Sequence, residues 1–303
     1  MIAALIPAEL AALSAALAAA FGPGQVKAHT LLQRSDRAQA ARGVMGGQPV
    51  IIKQFTGPDP AATIAALQAE HAAIAPHLAT GRFRLATALR LDAARGLAVL
   101  THAPGDRLDG VLARATPTER AAVIAQAGGW LAAFTAPRRH LAPMNLHTVL
   151  RRRKDAMAAS PPHPADQPLT GTAFARLRAL ARDLAGADLV QSGVHADFTP
   201  YNLHLSGVEL WGFDLQGTRI RPVALDAASF LVLAGLRQPP TDPGALAHGL
   251  PQADAQAFLA ACPDADGPVL DFFLGDRLLR ALHEATTPAR ATAARTALQG
   301  WLG

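Results

Sequence analysis

The chain passes from a strand-rich first third to a mainly helical remainder, and that change limits what it can fold into. Residues 28–55, AHTLLQRSDRAQAARGVMGGQPVIIKQF, alternate in polarity and close on the β-branched run at 50–52. Gly46-Gly47 sits between two of the runs as a tight-hairpin signal. Beyond residue 116 the spacing becomes helical, with Val123, Ile124, Ala127, Trp130, Leu131 and Phe134 on one face. Strands gathered in the first third and helices in the remainder point to an α+β chain with two parts.

The first part predicts strand, loop at 34–37, strand, tight turn and strand, then a helix over 59–80 on Ile64, Leu67, Ile74 and Leu78. Pro76 breaks that helix near its end, and two short strands follow around 83–91 and 96–101. A leading amphipathic helix is expected over 7–21, with Pro7 in its first turn, Glu9 just inside and Gly22 at its end. At APGDRLDG, residues 103–110, the strands stop, which divides the chain into 1–102 and 103–303. In the second part Thr116, Pro117 and Glu119 form a capping box. Residues 136–168 read as a loop with a short basic helix, 171–185 as a helix, and helices run on to Trp301.

Composition narrows the function classes. The net charge of +5 comes from scattered arginines and one knot, Arg151-Arg152-Arg153-Lys154, read as a solvated helix face without interleaved aromatics. No nucleic-acid partner is expected from that pattern. Cys262 is the only cysteine, which excludes an internal disulfide and a zinc site built on several thiolates. The N-terminus lacks a basic n-region, and no segment offers ~18 uninterrupted apolar residues, so a cytoplasmic protein without a membrane span is expected.

The chemistry is concentrated in VHADFTPYNLHL, residues 194–205. His195 is followed at +2 by Asp197 and at +7 by Asn202; Asp214 comes twelve residues later, inside the apolar stretch VELWGFDLQG. Two carboxylates and an amide oxygen suit a hard cation such as Mg²⁺. One carboxylate then remains free to take a proton from a hydroxyl, the division of labour in phosphoryl transfer on the kinase fold. Alone, the motif also admits a polar turn, and His195, Asp197, His204 and Asp214 admit a metal-hydrolase cluster.

Taken with the rest of the chain, HADFTPYN resembles the H-G-D-x-x-x-x-N loop of the aminoglycoside phosphotransferase and choline kinase-like branch of the protein-kinase-like superfamily. The resemblance implies a bilobal fold: a small antiparallel-sheet N-lobe with one helix, binding nucleotide, and a larger, mostly helical C-lobe for catalysis and acceptor binding. It implies ATP and Mg²⁺ as cofactors and a small hydroxylated molecule as acceptor. VIIKQF resembles the strand of the phosphate-binding lysine, making Lys53 the phosphate contact and Glu70 its ion-pair partner. LAVLTHAPGDRL resembles the linker whose backbone holds adenine, at His102 and Ala103. Asp197 would be the catalytic base, Asn202 and Asp214 the metal ligands, and His195 and Asp226 (in RPVALDAASFL) structural supports of the loop.

Three departures matter. The phosphate-covering loop RSDRAQA has no glycine, leaving Ser35 and nearby amides to do the covering. Ala196 stands where the branch writes glycine, and Thr199 stands where protein kinases write lysine. Some resemblance to bacterial cell-wall amino-sugar kinases favours a sugar or amino-sugar acceptor. Choline, ethanolamine, homoserine and aminoglycosides remain alternatives, as do a catalytically inactive member and a basic binding scaffold. Arg219 and Arg221 are either surface arginines or contacts for an anionic acceptor.

Overall fold

The computed structural model describes residues 2–215, 219–240 and 244–303, with side chains from residue 8 onward. Two compact units emerge from the packing: Met1–Pro104 with Trp211–Thr218, and Gly105–Leu210 with Arg219–Gly303. The last two residues of the GFDLQG stretch and the residue after it, 216–218, lie outside the described residues.

The first unit opens with helix α1 (Ile2–Phe21), followed by strands β1 (Val26–Arg34), β2 (Ala38–Met45) and β3 (Gln48–Phe55). Next come helix α2 (Pro60–Ile74) and strands β4 (Phe83–Leu85), β5 (Ala88–Asp92) and β6 (Leu97–Thr101). Five strands form one antiparallel sheet in the order β1-β2-β3-β6-β5. Gly46 and Gly47 both take positive φ, 58° and 80°, which is what a two-residue turn between right-twisted strands requires. Leu13 and Leu17 of α1 pack with Val50, Ile52, Leu97 and Val99 in the core. Each fully buried leucine contributes roughly 2 kcal/mol by removing its side chain from water.

Two expectations shift here. Helix α1 begins at Ile2 rather than residue 7, because the apolar, helix-favouring residues before Pro7 continue the pattern upstream. A proline inside the helix costs one backbone hydrogen bond, which this stretch tolerates. The segment 83–101 contains three strands rather than two. The helix over 59–80 ends as α2 at Ile74 and continues as a 3-10 turn, Ala75–Leu78, where Pro76 interrupts it.

The second unit carries β7 (Asp106–Arg107), α3 (Leu108–Leu112), α4 (Pro117–Thr135), β8 (His140–Pro143), α5 (His147–Ala159), α6 (Gln167–Asp183), β9 (Asp188–Val194) and β10 (Leu203–Ser206). Strand β11 (Glu209–Gly212) leads out of it, and it resumes with β12 (Arg219–Pro222), α7 (Ala224–Arg237), β13 (Leu246–Ala247), β14 (Leu250–Pro251), α8 (Gln252–Ala261), α9 (Pro268–His283) and α10 (Pro288–Leu302). The capping box at the start of α4 forms as expected, with Thr116 and Glu119 satisfying each other's backbone N–H. A buried ion pair, Arg120 with Asp254, ties α4 to α8, and Arg120 also donates to the carbonyls of Gln238 and Ala234. Cys262 is buried and its thiol is pushed up to about 12 by burial, so it stays protonated. No described helix is long and apolar enough to cross a membrane.

The basic run at 151–154 belongs to α5 but is only partly a solvated face. Arg153 donates two hydrogen bonds, of 3.0 and 3.2 Å, to the buried carboxylate of Asp276 on α9.

Candidate active site

The loop between β9 and β10 is built from below by aromatic rings. Trp130 stacks on Phe134 at 5.0 Å and on Phe198 at 5.6 Å; Phe198 meets Phe230 at 5.4 Å, and Phe230 meets Phe258 at 5.3 Å. Phe198 is fully buried and follows Asp197, which is exposed. Anchoring one residue therefore presents the next to solvent. His195 is buried beside Trp130, Phe134 and Phe198.

The loop's backbone is held from the other side by Asp226, in the first turn of α7. Its carboxylate accepts the N–H of His195 at 2.6 Å and the N–H of Ala196 at 3.1 Å. Both amides can reach it because Ala196 sits at φ 68°, the left-handed region where two successive N–H groups converge on one acceptor. Complete burial pushes the Asp226 carboxyl up to about 6, against the opposing pull of His195, these amides and Arg277.

Asn202 closes the loop. Its side-chain N–H₂ donates to the Asp197 carbonyl at 2.8 Å and to Asp197 Oδ2 at 2.9 Å. With the nitrogen committed to Asp197, the amide oxygen of Asn202 is left as the metal-type donor. Tyr201 lies under the Arg107 guanidinium, which is 5.3 Å from the ring centre, and His204 lies on β10, in register with Arg107 of β7.

In the first unit Lys53, on β3, forms an ion pair with Asp214. Asp214 follows β11 at φ 65°, a conformation that aspartate tolerates better than most residues. Glu70 and His71 are both buried on α2. The imidazole of His71 accepts the N–H of Ala88 at 3.2 Å, and burial pulls it down to about 4. The charges of Glu70 and Lys53 both act on that ring, in opposite senses, so the three side chains share one electrostatic neighbourhood. Ser35 spends its hydroxyl on its own turn, accepting the N–H of Arg37 at 3.3 Å and of Ala38 at 3.1 Å. His102 and Ala103 lie on the segment leaving β6, with Ala103 buried. Gly105, two residues on, takes φ 84°, and a Cβ there would stand 2.1 Å from the carbonyl oxygen of Leu205.

Within each unit the donors are oxygens of the kind a hard divalent cation takes: the Asp214 carboxylate facing Lys53 in the first, and the Asn202 amide oxygen beside the Asp197 carboxylate in the second. Among the described residues no group of three or more His, Cys, Asp and Glu side chains comes together to hold a metal, so His195, Asp197 and His204 do not form the hydrolase cluster.

A cavity of about 190 Å³ opens beside Asp197, lined by α7, α9 and the start of α10. A second, of about 320 Å³, shares Ala196, Arg277 and Arg280 with it. Arg219 and Arg221, named in the sequence as possible anion contacts, line the second together with Arg152 and Arg153 of the basic run, whereas Arg237, Arg277, Arg280 and Arg290 of the first were not singled out by sequence spacing. They lie on different helices, so only the fold collects them.

No family model and no curated protein matches the sequence. Solved structures do match over nearly the whole chain. A thermostable mutant of aminoglycoside phosphotransferase APH(4)-Ia, in ternary complex with AMP-PNP and hygromycin B, superposes with a TM-score of 0.65 at 14% identity, covering 96% of this chain and 97% of that one. The fold is that of the aminoglycoside phosphotransferases. Amicoumacin kinase hAmiN, in complex with AMP-PNP, Ca²⁺ and Ami, shares this phosphotransferase fold at a TM-score of 0.59 and 15% identity, covering 97% and 92% of the two chains. Spectinomycin phosphotransferase APH(9)-Ia, with ADP and spectinomycin, gives 0.58 and 10% over 95% and 93%. At these identities the likeness carries the fold; the substrate must come from this chain's own residues.

Proposed function

We propose that the protein is an ATP- and Mg²⁺-dependent phosphotransferase that moves the γ-phosphoryl group to a hydroxyl of a small molecule, with a sugar or amino sugar as acceptor. The observation that carries this is the Asp197 carboxylate: exposed beside a cavity, held by Asn202, and fixed by a loop clamped on Asp226. Residues 1–102 serve as the nucleotide-binding lobe and 103–303 as the catalytic and acceptor-binding lobe.

Each residue then has a task. Lys53 orients the phosphates, with Glu70 balancing its charge from α2. The segment at His102 and Ala103 offers backbone groups to adenine, and the turn at Ser35 covers the phosphates. Asn202 and Asp214 hold the metal, which when bound neutralises charge on the phosphate oxygens. Asp197 aligns the acceptor hydroxyl and takes its proton as the oxygen bonds to phosphorus and the bond to the ADP oxygen breaks. His195 and Asp226 keep Asp197 in place. Positioning and electrostatics supply most of the rate.

The cavity lining also bears on the acceptor. No aromatic side chain lines the cavity beside Asp197 among the described residues, so the cage that a quaternary ammonium favours is missing there. An ATP-consumption screen over sugars, amino sugars, amino alcohols and aminoglycosides, with Asp197→Ala as the blank, tests the assignment. Asp197→Ala is expected to lower turnover about 10³-fold while MgADP binding persists, and Asp214→Ala to lose both. Near-wild-type turnover by Asp197→Ala would remove Asp197 as the base.

A further inference from the structure

We infer that the acceptor is an anion: a hydroxylated molecule bearing a carboxylate or phosphate group, received by the arginines beside the catalytic loop. This rests on the phosphotransferase reading for the position of the reacting hydroxyl at Asp197, and adds the chemistry of the molecule that carries it.

The two cavities flanking the loop are lined by eight arginines and three carboxylates. Each of the three carboxylates is already engaged. Glu284 accepts two bonds of 2.9 Å from Arg280. Asp276 accepts Arg153 and lies 3.8 Å from Arg277. Asp197 accepts Asn202. A polycationic acceptor would find no uncommitted carboxylate here to meet its ammonium groups.

The arginines are the reverse case. Arg237, at the end of α7, has its Nη1 buried without a hydrogen-bond partner among the described residues. The guanidinium of Arg290, at the start of α10, donates to Thr286 at 3.3 Å, and Arg277, 3.8 Å from Asp276, gives its Nε to Ser229 at 2.9 Å. A buried guanidinium N–H left unmatched is costly, whereas a charge-assisted bond to an oxyanion repays it. Arg237, Arg277 and Arg290 all line the cavity that Asp197 lines. An anionic group among them leaves a neighbouring hydroxyl on the same molecule free to face Asp197. Guanidinium forks match both carboxylate and phosphate oxygens, so either group satisfies the site.

The test uses the intact protein. Glucuronate, a hexose phosphate, glucose and kanamycin are titrated calorimetrically, with MgADP in parallel, against wild type, Arg237→Gln, Arg237→Lys and Arg290→Gln. Thermal midpoints verify that the variants fold. Glucuronate or the hexose phosphate should bind while glucose and kanamycin do not, and the one that binds identifies which oxyanion is read. Arg237→Gln or Arg290→Gln should weaken that anion about tenfold or more with MgADP affinity unchanged, and Arg237→Lys should recover part of the loss. The inference is overturned if kanamycin or glucose binds and neither anion does at ~10 mM, or if both glutamine variants bind the anion as wild type does. It is also overturned if MgADP affinity falls in step, since the arginines would then serve the nucleotide. Loss of MgADP binding by wild type, with anion binding and its dependence on Arg237 intact, would instead refute phosphoryl transfer and leave the anion site standing.

Discussion

Ala196 shows what one backbone angle does for the loop between β9 and β10. At φ 68° it turns its own N–H and that of His195 onto Asp226, and an L-residue holds that angle at a cost of roughly 1–2 kcal/mol. Glycine would relieve the strain but lose more entropy on folding, about 0.5–1 kcal/mol. Ala196→Gly is therefore expected to leave the fold intact and raise stability by up to about 1 kcal/mol in urea unfolding. Asp226 sets a pH dependence of its own. Its folded pKa is raised from 3.8 to about 6, so the native state holds the proton more tightly through that window. Its contribution is fully present below the unfolded value, falls as pH rises to about 6 and is flat above, about 3 kcal/mol in all. Asp226→Asn should abolish that slope in unfolding curves taken across the window. It should also be less stable than wild type at neutral pH, because an amide cannot accept both N–H groups on oxygens.

At the scale of elements, contacts between helices decide what each tolerates. Gly128 in α4 lies against α8, where a Cβ would stand 2.4 Å from the carbonyl oxygen of Phe258. Alanine gains about 1 kcal/mol of helix propensity over glycine, but a clash with backbone cannot be relieved by a rotamer and costs about 1–3 kcal/mol or more. Gly128→Ala should therefore destabilise the protein. Gly171→Ala in α6, where a Cβ meets nothing within 4 Å, should stabilise it by the propensity gain, and denaturant midpoints of the two variants give the comparison. Much of this level was legible in the sequence: the capping box of α4, the hairpin at Gly46-Gly47 and the stripe from Val123 to Phe134 are local patterns with local causes. The start of α1 and the third strand between 83 and 101 were not. Pro7 permits a helix to begin but does not forbid one from passing through it, and the short β4 has too few residues to show an alternation.

For the whole molecule, the loop proposed for catalysis stood out as a spaced motif because His195, Asp197 and Asn202 are sequence neighbours. Among the cavity arginines, Arg219 and Arg221 stood out in the sequence as possible anion contacts and Arg152 and Arg153 as part of a basic run, whereas Arg237, Arg277, Arg280 and Arg290, drawn from α7, α9 and α10, carried no local signal. At the two cavities arginines outnumber carboxylates eight to three. That local surplus of positive charge raises the local concentration of anions. On the proposed function, phosphorylation makes an anionic acceptor more anionic still, so the arginines that gather the acceptor would grip the product harder. Turnover at low ionic strength should then be limited by departure of the phosphorylated product and show a pre-steady-state burst. Added salt should raise the acceptor KM and raise kcat together, as screening loosens both molecules. A site built on arginine to capture its acceptor inherits the slower task of letting the phosphate ester go.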